Sequence, residues 1–343
     1  MIYGSFTTTL SLILKSSKIF HFNDFMNFIP QLLRLNPLSL VDICTPIVNG
    51  FKDAEEAVQF LEKIGDKVKA NTEAFVMTRV LVGKLQLVQF KDTAKTKAIV
   101  EEIEGLLSDI EGVGKVHAHY YLLATELHKT EGNHANYYRA ALRYLGCSDL
   151  EADLSKEEQQ SHAFHLSLAA LLGKDVYNFG ELLAHPVLNA LNGTPNEWLV
   201  NLLMAFNSGD VQTYEKLRGS WTKQPDLNSN QEILYEKLCL LVLMEMTFRR
   251  DANDRSIAFK EISAQTGLSE DKVELLVMKA LSKALVKGQI DQVGQSVNLT
   301  WVQPRVLDKN QLKTIMGKIG TLNDSIKSME NMIENNAGEI LTM

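Results

Sequence analysis

The chain has 343 residues, 45% of them hydrophobic and 22% charged, and a net charge of −7 at neutral pH. That length suits two domains or a repeat array better than one core, and the negative balance argues against general affinity for nucleic acid or an anionic membrane. Cys44, Cys147 and Cys239 stand isolated in apolar contexts, which predicts buried reduced thiols rather than a disulfide framework. Near the start, Leu10 to Leu14 form a mildly apolar run with no basic residue before it, far too short to span a bilayer. Residues 1–25 are therefore read as a variable N-terminus.

From Phe25 the pattern turns helical. Pro30, Pro37 and Pro46 punctuate short helices, and no further proline occurs before Pro186. Amphipathic segments fall at 51–70, 72–90, 93–110, 114–130, 133–145 and 155–172. Ala54, Ala57, Val58, Leu61 and Ile64 form one apolar stripe, and Val116, Tyr120, Leu123, Ala124 and Leu127 form another. Helices of this length with short connections pack as antiparallel pairs, and pairs in series build a solenoid of degenerate repeats. Pro186, Pro195 and Pro225 then mark shorter helices, with Trp198 and Trp221 expected as core anchors. The run Leu238 to Met244, flanked by Glu236, Lys237 and Glu245, reads as a helix buried on all sides and not as a membrane span.

Residues 256–302 predict a helix, a turn, a second helix and a two-stranded wing. Ser256 is expected to cap the first helix and Gly267 to end it. Ser269 caps the second, whose apolar residues Val273, Leu276, Val277, Ala280, Leu281, Ala284 and Leu285 run as far as Gly288. Ile290 to Val293 and Val297 to Trp301 then form a hairpin turning at Gly294. Winged helices commonly bind DNA. Here Lys260, Lys272, Lys279, Lys283 and Lys287 are balanced by Glu261, Glu270, Asp271, Glu274 and Asp291, and the wing tip carries no base. A neutral module neutralises phosphates poorly. Leu275, Met278 and Val286 lie outside the core stripe, so they are predicted to face another protein.

No residue constellation points to chemistry. His117 and His119 sit two apart, and on a helix such neighbours diverge by about 200°. Gly112-Val-Gly-Lys115 imitates the end of a P-loop, but Val116 stands where a magnesium-binding hydroxyl is needed. No nucleophile elbow, dinucleotide fingerprint or zinc spacing occurs. Catalytic residues, metal site, cofactor and small-molecule substrate are all expected to be absent, although an enzyme site assembled from distant residues stays open as a rival.

After Pro304, Leu312, Ile315, Ile319, Leu322, Ile326, Met329 and Ile333 alternate spacings of three and four, a heptad seam with a polar opposite face. A narrow seam trailing from a closed domain needs a partner helix, or else folds back on its own chain.

The stretch Gly288-Gln-Ile-Asp-Gln-Val293, behind a lysine-bearing helix and before a Val-x-Leu-x-Trp strand, resembles the winged helix that closes a PCI domain. With the helical array before it and the helix after it, the chain is similar to PCI subunits of the proteasome regulatory-particle lid. That resemblance implies a mainly α fold: a helical-repeat solenoid (26–135) and a PCI domain (136–304, its winged helix 251–304), then a C-terminal assembly helix (305–343). It further implies a non-catalytic scaffold of the cytoplasm and nucleus. Its partners would be other PCI subunits and the deubiquitinase pair in a hetero-oligomer supporting ubiquitin-dependent degradation, with no nucleic acid and no membrane. PCI subunits of the signalosome or of a translation initiation complex share this architecture and remain the alternative.

Overall fold

A computed structural model describes residues 36–341, apart from 49, 52, 111, 149–153, 251–253 and 307–308. The expected variable segment 1–25 lies outside these residues. The chain forms two compact units, Met1–Val176 and Tyr177–Met343.

In the first unit the described helices are α1 (Pro37–Val48), α2 (Ala54–Val68), α3 (Thr72–Leu85), α4 (Thr93–Leu107), α5 (Lys115–Glu131), α6 (His134–Cys147) and α7 (Lys156–Leu172). Short polar residues start most of them. The side chains of Asp53, Asn71, Asp92, Asn133 and Ser155 each accept from a backbone N–H in the first turn, satisfying donors that the helix itself leaves free. Ser155 and Glu158 complete a reciprocal capping box. Both predicted stripes face inward: Ala57, Leu61 and Ile64 on α2, and Val116, Tyr120, Leu123, Ala124 and Leu127 on α5, are buried. Helix α3 is central, packing on α1, α2, α4 and α5. At Gly83 a Cβ would lie 2.7 Å from Leu123, so the missing side chain is what lets α3 and α5 approach. Helix α3 continues as a π-turn, Gln86–Phe90, stopped by Lys91 in the left-handed region (φ 55°).

The compact units divide after Val176. Helix α6 pairs with α5, and α7 packs on α6.

The second unit opens with α8 (Gly180–Ala184), a 3₁₀ turn (Pro186–Leu191), α9 (Glu197–Ser208), α10 (Val211–Lys216), α11 (Arg218–Trp221) and α12 (Pro225–Ser229). Trp221 is buried and stacked on Tyr214 at 5.1 Å, its indole N–H donating to the Tyr214 carbonyl. Trp198 is only half-buried, so the expected pair of tryptophan anchors reduces to one. Helix α13 (Gln231–Arg249) buries Leu238 through Met244 without interruption. It contacts α9 and α12 as well as the winged helix, which explains why no face of it is polar.

The winged helix consists of β1 (Ser256–Ala258), α14 (Phe259–Thr266), α15 (Glu270–Ser282), β2 (Val286–Asp291) and β3 (Ser296–Val302). The sheet order is β1-β3-β2, all antiparallel. Three expectations are corrected here. Ser256 does not cap a helix; it opens a strand whose Ile257 faces Val297 across the sheet. The second helix ends at Ser282, because Ala284 takes up a left-handed conformation (φ 54°) and turns the chain into β2. Ser269 stands at the N-cap of α15 but its side chain makes no capping bond.

Gly288 therefore lies in a strand. The register shifts between Lys287 and Gly288, leaving Thr300 as the extra residue of a bulge. A Cβ at Gly288 would overlap the Asn298 carbonyl oxygen, which is why the residue is glycine. Past the bulge the alternation breaks. Val297 and Leu299 are buried, but Trp301 turns outward and carries the Lys287 ammonium over its ring at 5.0 Å.

The last described element is α16 (Lys309–Leu341), a helix of 33 residues. Among the described residues no helix is long and apolar enough to cross a membrane.

Candidate protein-interaction surfaces

Helix α15 buries Val273, Leu276, Val277 and Ala280 against its own domain. The same periodicity places Leu275 and Met278 on the opposite side, where they are 54% and 53% exposed. Beside them Lys279 Nζ lies 2.9 Å from Glu236 of α13, joining the two helices at the surface. One turn before Glu236 on α13, Ile233 is also exposed. Sequence inspection missed Ile233 because it sits just ahead of a continuous apolar run.

Val286 does not belong to this patch. It lies in β2 opposite Val302, with 1% of its surface exposed. The misplacement follows from reading α15 as far as Gly288; once the chain reverses at Ala284, Val286 points into the core.

Two lysines, Lys279 in α15 and Lys283 just past its end, are engaged within the unit, while Lys272 is exposed. Lys279 pairs with Glu236, and Lys283 Nζ lies 5.6 Å from the centre of the Tyr177 ring. Both charges already have partners, which weakens any phosphate-binding reading further.

Helix α16 carries the heptad positions Leu312 to Ile333. Leu312, Ile319, Leu322, Ile326, Met329 and Ile333 are exposed, and Ile315 is half-buried. Every side chain from Met316 to Glu334 is exposed. Met316 and Met332 flank the seam and are open as well, so the apolar stripe is wider than seven heptad positions suggested. Leu, Ile and Met thus form one contiguous exposed apolar row on this helix.

In the first unit, the π-turn leaves Val88 and Phe90 exposed. A straight helix over 72–90 would not single them out, and no sequence signal marked the turn.

The remaining chemistry is structural. His117 Nδ1 accepts from the Gly114 N–H, whereas His119 Nδ1 sits 2.9 Å from the Lys115 carbonyl, so the two rings serve different helix-start contacts. Among the described residues no three His, Cys, Asp or Glu side chains come together as a metal site. The three cysteines are free; burial pushes the Cys44 and Cys239 thiols up to about 12, far from a reactive thiolate. A shallow hollow of about 260 Å³ is lined by Ser208, Glu245, Arg249, Arg250 and Glu261, but its charges satisfy each other, Arg249 with Glu245 and Arg250 with Glu261.

Comparison with known proteins accounts for this arrangement. The family model described as PSD13 N-terminal repeats matches residues 5–203, and the PCI domain model matches residues 212–301. The chain is 33% identical over 355 residues to the 26S proteasome non-ATPase regulatory subunit 13 of Dictyostelium discoideum, covering 99% of this chain and 91% of that protein. The chain belongs to the 26S proteasome non-ATPase regulatory subunit 13 family. It is also 36% identical over 310 residues to homolog A of that subunit in Arabidopsis thaliana, covering 88% of this chain and 80% of the relative. The probable 26S proteasome regulatory subunit rpn9 of Schizosaccharomyces pombe is 35% identical over 283 residues, covering 82% and 74%. For a member of the subunit 13 family, the PCI match ends at residue 301, and α16 follows it as a separate element.

Proposed function

We propose that this chain is a non-catalytic scaffold subunit of the 26S proteasome lid, acting in assembly and in ubiquitin-dependent degradation in the cytoplasm and nucleus. Relatives matched over most of the chain are named as non-ATPase regulatory subunits of the 26S proteasome, which favours this reading over a signalosome or translation initiation complex. The observation that carries the scaffold role is α16, whose apolar seam is exposed at every described position except the half-buried Ile315. An enzyme concentrates polar groups in a pocket, whereas this chain spends its unburied apolar surface on helix faces.

The seam of α16 is proposed to enter a bundle with helices of neighbouring lid subunits, including other PCI subunits and the deubiquitinase pair. Leu275 and Met278, with Ile233, are proposed as a second contact with an adjacent subunit. Affinity purification of the tagged chain followed by mass spectrometry tests the assignment. Recovery of 26S lid subunits supports it; recovery of a translation initiation set, or of no complex at all, overturns it.

A further inference from the structure

Between the winged helix and α16 the chain crosses its own domain in an extended stretch, Gln303–Val306, and several unlike contacts hold it there. Gln303 donates its N–H to the Leu285 carbonyl at 2.8 Å. Arg305 ion-pairs with Glu245 of α13, and both side chains are under a tenth exposed (8% and 9%). The other arm of the same guanidinium donates to the Asn207 carbonyl of α9 at 3.2 Å, and its carbon lies 6.0 Å from the centre of the Phe248 ring. Next along, the Val306 N–H reaches the side-chain oxygen of Asn178, which also accepts from Gly180. Val306 sits directly on Gly180; a Cβ there would overlap the valine side chain.

A buried ion pair is a poor means of adding stability, because desolvation offsets most of the attraction. It is a good means of fixing one geometry, since a planar fork satisfied by a carboxylate and a carbonyl tolerates little displacement. Exposed pairs in this chain such as Lys279–Glu236 have neither the burial nor the extra partners. The glycine at 180 adds a steric notch that a second residue of the strap fills.

We propose that Gln303–Val306 is a strap that sets the direction in which the C-terminal helix leaves the PCI domain, with Arg305 as its positioning residue. The consequence for assembly rests on the reading of α16 as the assembly helix. A helix offered in one direction loses less orientational freedom on docking than one that swings on a loose tether.

The test uses the full chain with Cys147→Ser, since Cys44 and Cys239 are buried. Spin labels go on Val293→Cys at the wing tip and Lys327→Cys on the helix, and on Val293→Cys with Met204→Cys as a control within the domain; all three positions are exposed. The strap predicts one narrow distance population between wing and helix. In Arg305→Ala it becomes broad while the control stays narrow, Glu245 still having Arg249. Gly180→Ala, which keeps the ion pair but fills the notch, also broadens or shifts it. If Arg305→Ala disturbs the control as well, Gly180→Ala alone decides. A wing-to-helix distance that is already broad in the unaltered chain, or that stays narrow and unshifted in both variants, overturns the strap. Capture of lid subunits by Arg305→Ala is expected to weaken about tenfold, the scale of lost preorganisation with all seam contacts kept. If helix truncation leaves capture intact, the assembly reading falls, while the distance result on the isolated chain stands on its own.

Discussion

Helices α13 and α16 are the two longest of the second unit, and both are rich in Leu, Ile and Met, yet they meet opposite fates. On α13 the apolar residues occupy every face, and Leu238 through Met244 are all buried by α9, α12 and the winged helix. On α16 they keep to one stripe, and that stripe is exposed. Hydrophobic content alone thus says little about where a helix ends up; its angular distribution does. An all-round apolar helix can only be an interior element, while a seam with a polar back is built for one-sided contact.

The largest expected effect of a substitution lies on α13. Leu241→Asp would bury a carboxylate with no partner, costing roughly 3–5 kcal/mol or more, and the second unit should fail to give a cooperative melt by circular dichroism. The matching change on α16 separates folding from assembly. Ile319→Asp with Ile326→Asp, or truncation after Asp308, should leave the melting temperature of the isolated chain nearly unchanged. Each buried Leu or Ile contributes roughly 1.5–3 kcal/mol, so either change should abolish co-purification with lid subunits. Unfolding on truncation together with normal assembly of the double mutant would instead place the seam in contact with its own chain.

A milder probe uses thiols. Cys239 on α13 is buried and its thiol is pushed up to about 12, so it should resist alkylation at pH 8 in the folded chain. A cysteine introduced by Ile326→Cys should react at the rate of a free thiol. The same shift has a sign: the unfolded chain loses this proton first, so stability declines as pH rises from about 8.5, the usual thiol value, towards about 12. Equal alkylation rates at both positions would break the contrast. The smallest effect is predicted for Lys279→Ala, which removes an exposed ion pair between α15 and α13 and should cost less than about 1 kcal/mol in urea denaturation.

The helical array was readable because its signals are local. Asp53, Asn71, Asp92, Asn133 and Ser155 sit at the helix starts, and the intervening stripes repeat at helical spacing. The heptad seam of α16 was equally plain, since nothing in the domain interrupts it. Where reading failed, a long-range or conformational cause had overridden the local one. Ala284 adopts a positive φ that its residue type does not advertise, so α15 was drawn too long and Val286 was placed on the wrong side. Ser256 looks like a cap but is drawn into the sheet by β3. Trp301 keeps the pattern of a buried strand residue, and only the bulge at Lys287/Gly288 reveals that it faces out. Arg305 gave no signal at all, because its partners Glu245 and Asn207 are distant in sequence.

That bulge matters beyond register. Among the described residues the order β1-β3-β2 leaves β2 as a rim of six residues, the kind of edge on which a further strand can pair. The bulge residue Thr300 lies in β3 and adds twist to the pair that the rim belongs to, and Lys287, held over Trp301, sets a charge on the rim itself. Both are devices that discourage edge-to-edge growth. The irregularity that disturbs the alternation of β3 therefore also makes the neighbouring edge a poorer template for strand pairing.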